Sequence, residues 1–214
     1  MNSVPERLTP ETLAQRCPRL YHMAEEGSWV SIQQHGLLST TALLDLFEVP
    51  AEQRYGLEAQ RRPKAVPIHN PTYGTAWIRD NKPINETVLR RTLEGMTEEE
   101  FYRTLNSRVF FWVSTDRLDR LRNAPPYRNR RHDILELDTA ALLERHYERV
   151  ELCHLNSGAV HPAANYPRGA GTFASIESYP YGERKLVSNE PLVEVTVPYA
   201  VPDVRDFVIS VTTR

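Results

Sequence analysis

The side chains able to bind or transform a ligand are scattered from Tyr21 to Glu194. Glu194 lies in Val193-Glu194-Val195-Thr196-Val197-Pro198, where valines alternate with polar residues. On a strand, that spacing sends the valines to one face and Glu194 and Thr196 to the other. A carboxylate fixed there can stabilise developing positive charge or accept a proton from an attacking atom. The same pattern also suits a solvent-facing glutamate on a half-buried strand. His22, beside Tyr21, offers one donor and one acceptor as a neutral imidazole, which fits a ligand hydroxyl or a satisfied place in the core. Arg79, in Trp77-Ile78-Arg79-Asp80-Asn81, and Arg108, before Val109-Phe110-Phe111-Trp112, each carry a guanidinium fork suited to phosphate or to a structural carboxylate. Arg79 is the preferred of the two because it sits in a loop. Tyr73, next to Gly74, can stack on a flat ring.

No compact signature accompanies these residues. GxGxxG, GxxxxGK, HExxH and GxSxG are all missing. Cys17 and Cys153 stand far apart without metal-ligand spacing, so they read as small buried hydrophobes and no metal is expected. Any site must therefore be assembled from distant parts of the chain.

The elements that would do so are legible in outline. Thr9-Pro10-Glu11 opens a short helix that Pro18 closes. Arg19 to Met23 forms a strand, a helix runs from Ser28 to Gly36, and Leu37-Leu38 follows. Thr41 is read as the cap of the next helix, and Pro50 opens another that fades by Pro63. Residues 63–83, rich in proline, read as a structured loop over the core. Asn85 and Thr97 are helix caps, the latter with Glu100 in a capping-box pattern. Arg108 to Val113 is the most hydrophobic strand, and its continuous apolar run predicts burial on both faces. Thr115 caps a helix, Asp133 to Leu137 is a strand, Asp138 caps a helix to Tyr147, and Val150 to Leu155 is a strand. Residues 156–184 form a loop too long to be idle, and the runs at 192–197 and 207–211 are the closing strands. Helices and strands mix irregularly, which predicts an α+β fold in one domain covering 1–214.

Composition sets the setting. The 214 residues are 40% hydrophobic and 25% charged, enough for a core and an ordinary surface. The N-terminal stretch is polar and no apolar run nears the roughly 20 residues of a membrane span, so a soluble, cytoplasmic protein is expected. A net charge of −2 argues against nonspecific nucleic-acid binding. A local case rests on Arg117, Arg120, Arg122, Arg128, Arg130 and Arg131 around Tyr127, which is either a nucleic-acid contact or a solvated surface. Oligomeric state is left open.

Tyr21-His22-Met23-Ala24, Ser28-Trp29-Val30-Ser31-Ile32 and Gly36-Leu37-Leu38-Ser39 resemble the opening of the DarT family of DNA ADP-ribosyltransferase toxins. Val193 to Pro198, with Val201-Pro202 and a last apolar strand, is similar to that family's closing segment, and Val109-Phe110-Phe111-Trp112 to its aromatic central strand. The likeness covers about a third of the chain and departs from the family at Ala24 and Ser28. The whole chain also resembles an uncharacterised bacterial family, through Ile78-Arg79-Asp80-Asn81, residues 105–112 and Asn156-Ser157-Gly158. The DarT resemblance implies an ADP-ribosyltransferase fold, in which two small, mainly antiparallel sheets form a cleft for NAD with helices outside. It implies transfer of ADP-ribose to a base of DNA or RNA, with Glu194 catalytic; Arg79, chosen for its loop position and guanidinium fork, is the second catalytic candidate. Tyr21, His22, Ser39, Tyr73 and Arg108 would contact NAD, and Arg117, Arg120, Arg128, Arg130 and Arg131 the nucleic acid. A noncatalytic module that binds a nucleotide or a protein on the same fold is the alternative.

Overall fold

The computed structural model describes residues 6–214; the first five, part of the polar N-terminal stretch, lie outside the described residues. In chain order the elements are α1 (Pro10–Arg16), β1 (Arg19–Glu25), α2 (Trp29–His35), β2 (Leu37–Leu38), α3 (Thr40–Leu46), α4 (Ala51–Glu58), β3 (Val66–Asn70), β4 (Gly74–Ile78), α5 (Glu86–Thr92), β5 (Leu93–Glu94) and α6 (Glu98–Asn106). They continue with β6 (Arg108–Trp112), α7 (Thr115–Arg122), β7 (His132–Asp138), α8 (Thr139–His146), β8 (Glu151–Cys153), β9 (Arg168–Gly169), β10 (Ala174–Ser175), α9 (Tyr181–Val187), β11 (Glu194–Pro198), β12 (Ala200–Val201) and β13 (Val208–Thr213). The fold is α+β. The described residues fold into two compact units, one of residues 6–37, Val109–Leu155 and Phe173–Arg214, the other of Leu38–Arg108 and Asn156–Thr172.

The first unit is built on a seven-stranded sheet in the order β10-β8-β11-β6-β1-β7-β13. This corrects the expected pair of small sheets. Strands distant in sequence pair into one continuous layer: β1 runs antiparallel to β7 from Arg19↔Asp138 to Glu25↔His132, and β13 extends β7 on its far side. Leu20 and Ala24 of β1, Val109 and Phe111 of β6, Leu135 and Leu137 of β7, and Val195 and Val197 of β11 share one buried cluster, which defines one face of the sheet. That face is covered by Leu13 of α1, Ile32 of α2 and Leu142 and Leu143 of α8. On the opposite face, Met23 and Ile134 cluster with Leu118 of α7 and Tyr127, with Tyr21 and Trp112 against them. Burial of β6 alternates, with Phe110 and Trp112 half-buried, so the strand expected to be buried on both faces is buried fully on one.

Local signals placed the helix starts. Thr9 and Thr97 each close a capping box, and Asn85 and Asp138 cap through their side chains as read from the sequence. Two caps fall earlier than expected: Ser39 rather than Thr41 starts α3, and Ser114 rather than Thr115 starts α7.

In the second unit, Leu44, Phe47, Ile68 and Ile78 form a small core. The region expected to be a loop is a hairpin, with β3 and β4 registered from Val66↔Ile78 to Asn70↔Gly74. Pro67 cannot donate to a ladder, which a two-stranded hairpin with open edges tolerates. The long downstream segment contributes β9, parallel to β5, and Gly169 there has φ 145 with its backbone so near the Glu94 carbonyl that an added Cβ would collide.

Candidate functional site

Glu194 begins β11, and its strand neighbours explain its surroundings. In the antiparallel ladder with β8, Glu194 stands opposite Cys153 and Thr196 opposite Glu151. Val195 and Val197 belong to the cluster on the helix-covered face, so alternation turns Glu194 and Thr196 to the other face. Both are buried there, Glu194 at 2% exposure and Thr196 at 0%. A solvent-facing glutamate is therefore ruled out. The sheet buries both sides of β11, which the alternating sequence did not reveal.

Tyr21 shares that face. It pairs directly with Trp112 of β6, and directly opposed residues on antiparallel strands project to the same side. Glu136 is its partner across β7. Burial, then the nearby Glu136 carboxylate, raises the phenol above its ordinary pKa against the opposing Arg19. The face thus carries Tyr21, Phe110, Trp112, Glu194 and Thr196 on β1, β6 and β11, three adjacent strands. Phe173 meets Phe110 edge to face, with ring centroids 6.1 Å apart.

His22, next in sequence to Tyr21, goes the other way. It pairs across β7 with Leu135, a member of the helix-covered cluster, and its ring lies 6.1 Å from that of Phe111, another member. Its Nδ1 is 2.9 Å from the Phe110 carbonyl oxygen. A carbonyl only accepts, so this contact fixes the tautomer with Nδ1–H as donor. The sheet accordingly brings Tyr21 and Glu194 to one face and His22 to the opposite one.

The remaining candidates belong to the second unit. Ser39 is buried, and its hydroxyl accepts from Ala42 N–H at 3.1 Å as the cap of α3. Tyr73 sits in the hairpin turn, 38% exposed, its ring tilted against Phe47 at 5.8 Å. Arg108 is half-buried and donates to the Thr104 carbonyl at 2.7 Å and to Ser107 Oγ at 3.3 Å. Arg79, half-buried, follows β4 outside regular structure.

One residue that positions Arg79 was missed in the sequence. Arg62, 6% exposed, donates from Nε to the Arg79 carbonyl at 3.0 Å, from Nη2 to Asn106 Oδ1 at 2.8 Å, and to the Leu57 carbonyl. Burial lowers its pKa to about 10. Asn106 in turn donates to the carbonyls of Glu58 and Tyr102, both at 2.9 Å. Nothing in the charged stretch before Pro63 separates this arginine from Arg54 and Arg61, which stay half-buried, since only the tertiary fold buries it.

Five of the six arginines of the basic stretch pair with acids of their own unit. Arg117 and Arg120 reach Glu190 at 2.5 and 3.3 Å, Arg122 pairs with Asp119, Arg130 with Glu25 and Arg131 with Glu26. Tyr127, which the sequence set among these arginines as a surface aromatic, is 4% exposed and packs under α7.

Among the described residues, no group of three or more His, Cys, Asp or Glu is placed to hold a metal ion, and no helix is long and apolar enough to cross a membrane. No curated protein and no solved structure matches the chain. The chain belongs to DUF7002, a family of unknown function whose pattern matches residues 18–208.

Proposed function

We propose that this member of the DUF7002 family is an NAD-dependent ADP-ribosyltransferase that modifies a base of DNA or RNA, with Glu194 as its catalytic carboxylate. The observation that carries this reading is the burial of Glu194 beside Thr196 on an otherwise apolar central strand. Taking a carboxylate out of water costs folding free energy, and such positions concentrate at functional sites. Cleaving the nicotinamide–ribose bond sends the bonding electrons to nicotinamide and leaves positive charge on the ribose, which a fixed carboxylate stabilises. The acceptor atom then bonds to the ribose carbon and gives its proton to the same carboxylate. Tyr21, Phe110 and Trp112 on the shared face supply aromatic surface suited to the nicotinamide ring. Arg117, Arg120, Arg128, Arg130 and Arg131, in the same unit as Glu194, are proposed to face the acceptor.

The second reading, a noncatalytic nucleotide- or protein-binding module, is favoured by one observation: His22 and Glu194 turn to opposite faces of the sheet. Incubation with labelled NAD and separate pools of DNA, RNA and protein tests the choice. Transfer of label to nucleic acid with release of nicotinamide supports the enzyme. NAD binding without release supports the module, and label on protein alone overturns the nucleic-acid acceptor.

A further inference from the structure

We propose that a cavity of about 380 Å³ between α1 and the start of α7 binds a small amphipathic carboxylate, with Arg117 as its anion seat and Glu190 as the chain's own occupant of that seat. The size falls within the range of small-molecule sites, roughly 300–1,000 Å³. All residues lining it belong to the first unit. Leu8, Leu13, Val113 and Leu192 give it an apolar wall, and Tyr181 adds an aromatic one.

The polar end decides the charge of the ligand. The Arg117 side chain is 17% exposed, and its Nη2 donates to Glu190 Oε2 at 2.5 Å. Its Nε is buried and has no hydrogen-bond partner. Nε and Nη2 form one edge of a guanidinium, the edge that takes both oxygens of a carboxylate side by side. Glu190 fills half of it, because the same Oε2 also accepts from Arg120 at 3.3 Å. Glu190 lies in irregular chain between α9 and β11, with its side chain 43% exposed, so releasing its carboxylate to water costs little. Arg117 stays, held in the first turn of α7. An incoming carboxylate with an apolar tail would satisfy both nitrogens and cover the leucine wall, which the short Glu190 side chain cannot do. Arg16, whose guanidinium stands 5.0 Å over the Tyr181 ring and pairs with Glu6, adds a second positive group and disfavours a cationic ligand. The cavity stands on its own geometry and does not need the transferase activity, but it shares Arg117 with the arginines proposed toward the acceptor, so a carboxylate seated there would compete with that contact.

Cys17 also lines the cavity as a half-buried free thiol, whereas Cys153 is fully buried, so alkylation of Cys17 reports on occupancy. The experiment follows N-ethylmaleimide modification of Cys17 by mass spectrometry with octanoate, octanol or octylamine present. Octanoate is expected to protect saturably, and the alcohol and amine much less. Arg117→Gln should weaken octanoate binding about tenfold or more, the scale of a lost charge-assisted hydrogen bond. Glu190→Gln should strengthen it by removing the internal competitor. Should Arg117→Gln fail to fold, the exposed Glu190→Gln variant carries the test alone. Equal protection by octanol, no protection by octanoate, or weaker binding in Glu190→Gln would overturn the proposal.

Discussion

Glu194 stands directly opposite Cys153 across the β11–β8 ladder, and both side chains are buried. Their Cβ atoms are therefore about 4.5–5.5 Å apart, and the candidate carboxylate borders a thiol that donates to the Leu155 carbonyl at 3.3 Å. In the native protein Cys153 should resist alkylation until denaturant is added. Cys17 should react, but more slowly than a free thiol at neutral pH, because burial raises its pKa against the opposing effect of Arg16. Peptide mapping after a short pulse of reagent checks both; native modification of Cys153 would show that the Glu194 strand is open.

Gly36→Ala should destabilise the protein by more than about 1 kcal/mol in urea unfolding. Gly36 has φ 80, and an added Cβ would collide with the Pro202 backbone. Unchanged stability would mean that this turn and the chain after β12 do not approach each other as described.

Ser39→Ala separates a cap from a ligand contact. Losing the Ser39 hydroxyl removes the acceptor for Ala42 N–H, which should cost about 1 kcal/mol and lower the melting temperature. Affinity for NAD, measured by calorimetry, should fall as well if the hydroxyl also serves the cofactor. A loss of stability alone would confine Ser39 to capping.

What could be read in advance follows the range of the forces involved. Caps at Thr9, Asn85, Thr97 and Asp138 depend on three or four neighbouring residues, and the sequence located them. Ser39 and Thr41, or Ser114 and Thr115, offer equivalent hydroxyls within two positions, and only backbone geometry chooses between them. The sheet was not legible, because β1 pairs with β7 more than a hundred residues away, and composition does not encode partners. For the candidate site, the valines correctly put Glu194 on the face opposite to theirs. Its burial depends on what covers that second face, which the strand's own pattern does not contain. The separation of Tyr21 from His22 followed from strand period, but assigning each to a face required the pairing with Trp112 and Leu135.

Asp203→Asn should lower stability at neutral pH by no more than about 1 kcal/mol, since the ion pairs are partly solvated. Burial pulls the Asp203 carboxyl up, but the hydrogen bond from His146 at 2.7 Å and the Arg145 guanidinium hold it, on balance, below its ordinary value. A lowered folded-state pKa stabilises above the unfolded value of about 4 and is lost as pH falls through the folded value. Melting curves of parent and variant should therefore differ at pH 7 and converge in acid below about pH 4. A difference that persists undiminished at low pH would assign the effect to packing rather than charge.

The most direct test of the central claim is nicotinamide release by Glu194→Gln beside the parent, each with labelled NAD and nucleic acid. Glutamine keeps the volume and one acceptor oxygen but removes the negative charge. Turnover should fall by at least about two orders of magnitude while NAD binding and the melting curve stay close to the parent's. Glu144→Gln, on the exposed side of α8, should behave as the parent in all three measurements. Parent-like turnover in Glu194→Gln, or a folded parent that releases no nicotinamide with any acceptor, would contradict Glu194 as the catalytic carboxylate.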